Sequence, residues 1–107
     1  MKKNEEAPVR GTTWFVSRHP GAVEWARRQE LAVDRWAAHL DPAEVCAGDT
    51  VIGSLPANLA AEVCEKGAAY LNLSLRVAEE DRGRELTADE LARCQAKIEP
   101  YYIRKLP

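Results

Sequence analysis

Three short apolar runs, each followed by a segment of helix-forming residues, constrain this chain more than any other feature. Residues 12–17 read Thr-Thr-Trp-Phe-Val-Ser, rich in β-branched and aromatic side chains and too continuous for an amphipathic helix. Residues 50–53, Thr-Val-Ile-Gly, form a second buried strand. Residues 69–75 alternate Tyr70, Asn72 and Ser74 with Leu71, Leu73 and Leu75, a period of two that gives a third strand one strongly apolar face. Between the runs, Pro20 to about Leu31 opens with a proline suited to a first helical position. Ser54 and Pro56 suit the cap and first turn of a second helix, in which Leu59, Ala60, Val63 and Cys64 share a face. Gly67 is placed to end it. Thr87 with Glu90 three residues on is a capping box for a last helix, predicted to reach Ile98, with Pro100 as its stop and an edge strand over Tyr101-Tyr102-Ile103. Strand, helix, strand, helix, strand predicts a mostly parallel sheet with right-handed crossovers, an α/β sandwich of the Rossmann-like class flanked by helices.

One segment resists this scheme. Val33, Trp36, Ala37 and Leu40 recur at helical spacing, while an alternating layout wants a strand there.

At 107 residues the chain makes one domain, 1–107, with the charged, Pro8-containing residues 1–11 as a flexible N-terminal extension. A composition of 46% apolar and 30% charged residues is globular. Fifteen Lys/Arg against seventeen Asp/Glu give a net charge of −2, which argues against a partner such as duplex nucleic acid, tracked across a basic stripe. No run approaches the roughly 20 apolar residues of a membrane span, and the polar start lacks the apolar core of a signal peptide. Three widely spaced cysteines, Cys46, Cys64 and Cys94, and two histidines far from them offer neither a disulfide framework nor metal-ligand spacing. The expectation is a cytoplasmic, reduced protein with no metal, no cofactor and no membrane partner.

In an open parallel sheet, ligands bind beyond the carboxyl ends of the strands. Three segments converge there: Ser17-Arg18-His19-Pro20-Gly21, Gly53-Ser54-Leu55-Pro56-Ala57-Asn58, and Arg76 to Glu85 with Arg82 and Arg84. The first two bring a hydroxyl and a helix N-terminus, where unpaired N–H groups favour an anion. Arg82 and Arg84 add guanidinium groups that can bind phosphate bidentately. Gly21 and Gly53 permit close approach of backbone to a ligand. Together they describe a site for a phosphate-bearing, nucleotide-sized molecule. Each piece also has a plain structural use: serines cap helices, His19 can be a turn residue and loop arginines are solvated. His39 is read as satisfying a local hydrogen bond and is not placed in the site. Trp14, Phe15, Trp25 and Trp36 are read as core or interface. Neither a P-loop nor a G-x-G-x-x-G fingerprint is present, which disfavours ATP hydrolysis and dinucleotide redox chemistry.

The string Trp14-Phe15-Val16-Ser17-Arg18-His19-Pro20-Gly21-Ala22 with Glu24-Trp25 resembles the start of a family of small CRISPR-associated proteins encoded beside type III systems. His39-Leu40-Asp41, Gly48 to Pro56, Asn58 to Cys64 and Arg82 to Leu86 extend the resemblance over about residues 12–103. Ser54 stands where the family has Thr, which keeps the hydroxyl. The family is similar to the ring nucleases, which have a Rossmann-like (CARF-like) fold. The resemblance implies a homodimer that binds cyclic tetra-adenylate across its two-fold axis. It further implies metal-free cleavage by attack of a ribose 2′-OH on the neighbouring phosphate, switching off type III CRISPR antiviral signalling. It also makes residues 33–40 a strand.

On that reading Ser17, Arg18 and His19 are the catalytic candidates, with His19 the proton donor to the leaving 5′-oxygen. Pro20, Gly21, Gly53, Ser54, Leu55, Pro56, Asn58, Arg82 and Arg84 form the ligand-binding set. Two other classes use the same chain differently. One is a non-catalytic cyclic oligoadenylate binder, a sensor or sponge; the other is an interaction subunit that docks on another CRISPR component through its helices.

Overall fold

The computed structural model describes residues 11–107, so the stretch 1–10 of the expected N-terminal extension lies outside the described residues. Gly11 does not belong to a free extension: a Cβ there would collide with the Gly48 carbonyl.

The elements follow in the order β1 (Thr13–Val16), α1 (Pro20–Arg28), β2 (Arg35–Ala37), β3 (Thr50–Gly53), α2 (Ala57–Glu65), β4 (Ala69–Ser74), α3 (Ala88–Arg93) and β5 (Lys97–Tyr101). Short 3-10 turns at Pro42–Glu44 and Glu79–Asp81 lie in the longer connections. Among the described residues the fold is α/β: one five-stranded sheet in the order β2-β1-β3-β4-β5, with three helices. The first four strands are parallel, and β5 runs antiparallel to β4.

Alternation of side chains along each strand divides the core into two layers. Trp14, Val16, Val51 and Tyr70 point toward α2, where Ala60, Val63 and Cys64 cover them. Phe15, Ile52 and Leu73 point the other way, under Ala22, Trp25 and Ala26 of α1 and Ala88 and Leu91 of α3. The apolar face expected on α2 is therefore the face it buries, and Gly67, with φ of +87°, ends that helix as expected.

Residues 35–37 form a strand, and the helical spacing around them has a simple cause. Val33 and Trp36 pack with the α1/α3 layer, whereas Ala37 and Leu40 pack with the α2 layer. The four positions look like one helix stripe, but they feed both faces of an edge strand. Phe15 and Trp36 stack side by side with ring centroids 5.3 Å apart.

The chain's last quarter departs from expectation. The Thr87 capping box forms: Thr87 Oγ1 accepts from the Glu90 N–H at 3.1 Å, and a Glu90 carboxylate oxygen accepts from the Thr87 N–H at 2.9 Å. The helix then ends at Arg93 instead of Ile98. Gln95 adopts φ of +60°, a left-handed turn with no glycine to announce it, and the chain enters β5. Pro100 sits inside β5, opposite Leu71, rather than stopping a helix. An edge strand tolerates it because one side has no neighbour to receive an N–H. Of Tyr101-Tyr102-Ile103, only Tyr101 belongs to the strand.

Among the described residues no helix is long and apolar enough to cross a membrane. Cys46, Cys64 and Cys94 are all free thiols.

Candidate functional site at the carboxyl edge of the sheet

From β1 the chain goes to β2 on one side, then returns past β1 to β3 on the other. The strand order reverses between β1 and β3, which opens a crevice beyond their carboxyl ends. A cavity of about 580 Å³ lies there. Its walls are the segments leaving β1, β2 and β3 together with the segment 84–86.

Local hydrogen bonds explain how each segment is aimed. Ser17 N–H donates to the Ala37 carbonyl at 2.9 Å, carrying the β1–β2 pairing one residue beyond Val16. Ser17 Oγ accepts from the His19 N–H at 3.1 Å, and this tight turn starts α1 with His19 as its cap residue and Pro20 after it. Beyond β3, Ser54 Oγ donates to the Leu73 carbonyl at 2.9 Å, so Ser54 ties β3 to β4 and does not cap α2. Pro56 holds the cap position. Leu55 N–H donates to Tyr70 Oη at 3.0 Å, and Tyr70 O–H reaches the Gly53 carbonyl at 3.2 Å. Burial foremost pushes the Tyr70 phenol up from its ordinary range, which keeps it a neutral donor and acceptor at this corner.

The 76–87 connection is fastened at two points. Arg84 bonds Asp81 at 2.9 Å and Glu90 at 2.8 Å. The Arg84 guanidinium, with help from the Thr87 N–H, pulls the Glu90 carboxyl down to about 2. Glu85 meets His19 Nδ1 at 2.9 Å and 3.1 Å through its two carboxylate oxygens. An ionised carboxylate only accepts, so Nδ1 carries the hydrogen and Nε2 is left for another partner.

Of the sequence-predicted set, Ser17, Arg18, His19, Ser54, Leu55, Pro56 and Arg84 line the cavity. Pro20, Gly21, Gly53, Asn58 and Arg82 do not. The close approach at the two glycines is backbone against backbone: a Cβ on Gly21 would strike the Leu86 carbonyl, and one on Gly53 the Val16 carbonyl. Asn58 lies in the first turn of α2, exposed. Arg82 borders a second cavity of about 340 Å³ formed by residues of the 76–87 connection and Leu75. Arg84 reaches the site already paired with two carboxylates, whereas Arg18 is exposed with no hydrogen bond or ion pair to any described residue.

Two wall residues fall outside the expected set. Glu85 is the partner of His19, invisible in sequence because 66 residues separate them. His39 lines the cavity and makes no hydrogen bond or ion pair with any described residue, contrary to the local bond expected of it. The remaining wall is aliphatic, including Leu40, Leu59, Leu73, Leu75 and Leu91, and no aromatic ring contributes. Trp14, Phe15 and Trp25 are core, and Trp36 is half-buried beneath Arg27. The site thus combines an apolar floor with imidazole, guanidinium and hydroxyl groups at its rim, the composition of a pocket that orients a small polar molecule. Among the described residues no group of three or more His, Cys, Asp or Glu side chains is arranged to hold a metal ion.

Residues 14–104 match the model of a family described as "Putative CRISPR-associated protein (Cas_VVA1548)". The chain belongs to this family. No curated protein and no solved structure matches it. Apart from Thr13 at the start of β1, the Cas_VVA1548 match takes in the described strands and helices and every lining residue of the cavity.

Proposed function

We propose that the chain is a ring nuclease: it binds cyclic tetra-adenylate and opens it without a metal, switching off type III CRISPR antiviral signalling. One observation carries the reading. A cavity at the sheet's switch point, in a CRISPR-associated family, holds a histidine tethered by a carboxylate and leaves its second ring nitrogen for substrate.

The chemistry needs little more. A ribose 2′-oxygen attacks the adjacent phosphorus, the P–O5′ bond breaks, and the products carry a 2′,3′-cyclic phosphate and a 5′-hydroxyl. His19 delivers the proton to the departing 5′-oxygen, with Glu85 as counter-ion to the cationic ring. Arg18 offsets the charge that builds on the phosphorane. The leucine floor takes an adenine face. Open, mostly parallel α/β sheets place ligand sites at strand ends, in keeping with the sheet order. A homodimer would present two such cavities to a ring with two-fold symmetry, which fits one protomer supplying half the contacts.

The test is direct. Purified protein is incubated with labelled cyclic tetra-adenylate, with and without a chelator, and the products are resolved. Linear products ending in a cyclic phosphate, formed at equal rate in chelator, are expected. Replacing His19 by Gln should slow single-turnover cleavage by about 10²–10⁴-fold. Tight binding without turnover would make the protein a sponge, and absence of binding would overturn both readings.

A further inference from the structure

Cleavage by a 2′-hydroxyl needs a second proton transfer, for which the sequence offers no assigned residue. We propose that His39 is the group that accepts the 2′-OH proton, acting across the cavity from His19. This rests on the ring-cleavage reading above.

The register brings the two histidines to the same edge of the sheet. In the β1–β2 pair Val16 lies opposite Ala37, and Ser17 N–H still bonds the Ala37 carbonyl. Arg18 and His39 each lie two residues beyond a paired position on adjacent parallel strands, and His19 follows Arg18 as the cap of α1. Both imidazoles line the one cavity.

Elimination then assigns the roles. The other titratable or charged groups on its walls are Arg18, Arg84 and Glu85. Guanidinium groups stay protonated and cannot accept a proton. Glu85 is bound to His19 Nδ1 through both of its oxygens. His39 has no partner among the described residues, so its ring is free to take a proton and release it later. The asymmetry separates the two rings: His19 is held by a carboxylate, whereas His39 has no partner among the described residues. Asp41, the nearest acid on the same connection, accepts from the Ala43 N–H at 3.0 Å as a cap.

In the balanced step His39 removes the 2′-OH proton as the O2′–P bond forms, and His19 protonates O5′ as P–O5′ breaks. The enzyme ends with the two protonation states exchanged, and solvent resets them.

The experiment is a pH–rate profile of single-turnover cleavage at saturating cyclic tetra-adenylate, for the wild type, His39→Gln, His39→Asn and His19→Gln. His39 is exposed, so both of its variants should keep the wild-type melting temperature. The wild type should give a bell. Both His39 variants should lose about 10²–10⁴-fold in rate and the limb that rises from acid pH, with binding of the ring retained. A second substrate with sulfur bridging in place of O5′ has a leaving group that needs no proton. It should restore His19→Gln and leave the His39 variants slow. Wild-type-like rate and acid limb in the His39 variants, a defect confined to ring binding, or their rescue by the sulfur substrate would each overturn the assignment while leaving the ring-nuclease reading intact. A wild type that cleaves neither substrate would overturn both.

Discussion

The two faces of the sheet are built on different principles. Beneath α1 and α3 the sheet contributes only apolar side chains to the core, with Phe15 fully buried and Ile52 and Leu73 nearly so. Beneath α2 the large residues carry polar tips, and each tip is answered. Trp14 Nε1 donates to Asp49 at 3.3 Å, and Asp49 also accepts from the Thr12 and Cys46 N–H groups at 2.9 Å each. Tyr70 closes a similar set with Gly53, Leu55 and Asn72. Volume holds one face together; the other adds directional bonds that fix where strands begin and end. The difference matters because the Tyr70 set lies at the exit of β3, one residue from the cavity wall, whereas Asp49 secures the opposite ends of β1 and β3.

Substitutions that separate volume from direction break this comparison in order of size. Phe15→Ala should cost about 3–5 kcal/mol in urea denaturation, with the same loss at pH 4 and pH 7, because no titrating group is involved. Asp49→Asn should cost about 1.5–3 kcal/mol at neutral pH, since it turns one acceptor into a donor facing N–H groups. Its loss must vary with pH. Burial acts to raise the Asp49 carboxyl, but the Cys46, Thr12 and Trp14 donors outweigh it and hold it below the ordinary 3.8. A depressed native value adds stability above the unfolded value that disappears as pH falls through the native one. The gap between wild type and Asp49→Asn should therefore narrow below about pH 3.8, measured by denaturation at fixed ionic strength. Tyr70→Phe should cost about 1–3 kcal/mol, smallest of the three, by leaving the Leu55 N–H and Gly53 carbonyl without their partner. On the ring-nuclease proposal it should also weaken binding of cyclic tetra-adenylate more than Phe15→Ala does at equal folded fraction.

What could be read from the sequence follows the same division. The parallel strands, the two long helices and the capping box were legible because alternation, helical faces and Thr87-x-x-Glu90 are local signals. The edge strand at 35–37 was not legible from periodicity, since its apolar neighbours serve two layers at once. The early end of α3 was hidden because a glutamine, not a glycine, makes the left-handed turn at 95. At the carboxyl edge, strand-end logic pointed to Ser17, Arg18, His19 and Ser54, which line the cavity there. It could not see that Asp81 and Glu90 occupy Arg84, nor that Glu85 holds His19, because those pairings depend on how the 76–87 connection folds back. His39 escaped for a related reason: a histidine outside a recognised motif carries no mark of whether it finds a bond.

Pro100 has a consequence for assembly at high concentration. Among the described residues, one margin of the sheet is a strand of three residues bearing Arg35, and the other contains an imide nitrogen with no hydrogen to give. Neither margin is a good template for adding another strand. Copies that meet must do so through helices, sheet faces or strand ends, so association can stop at a closed pair instead of running on into a fibre.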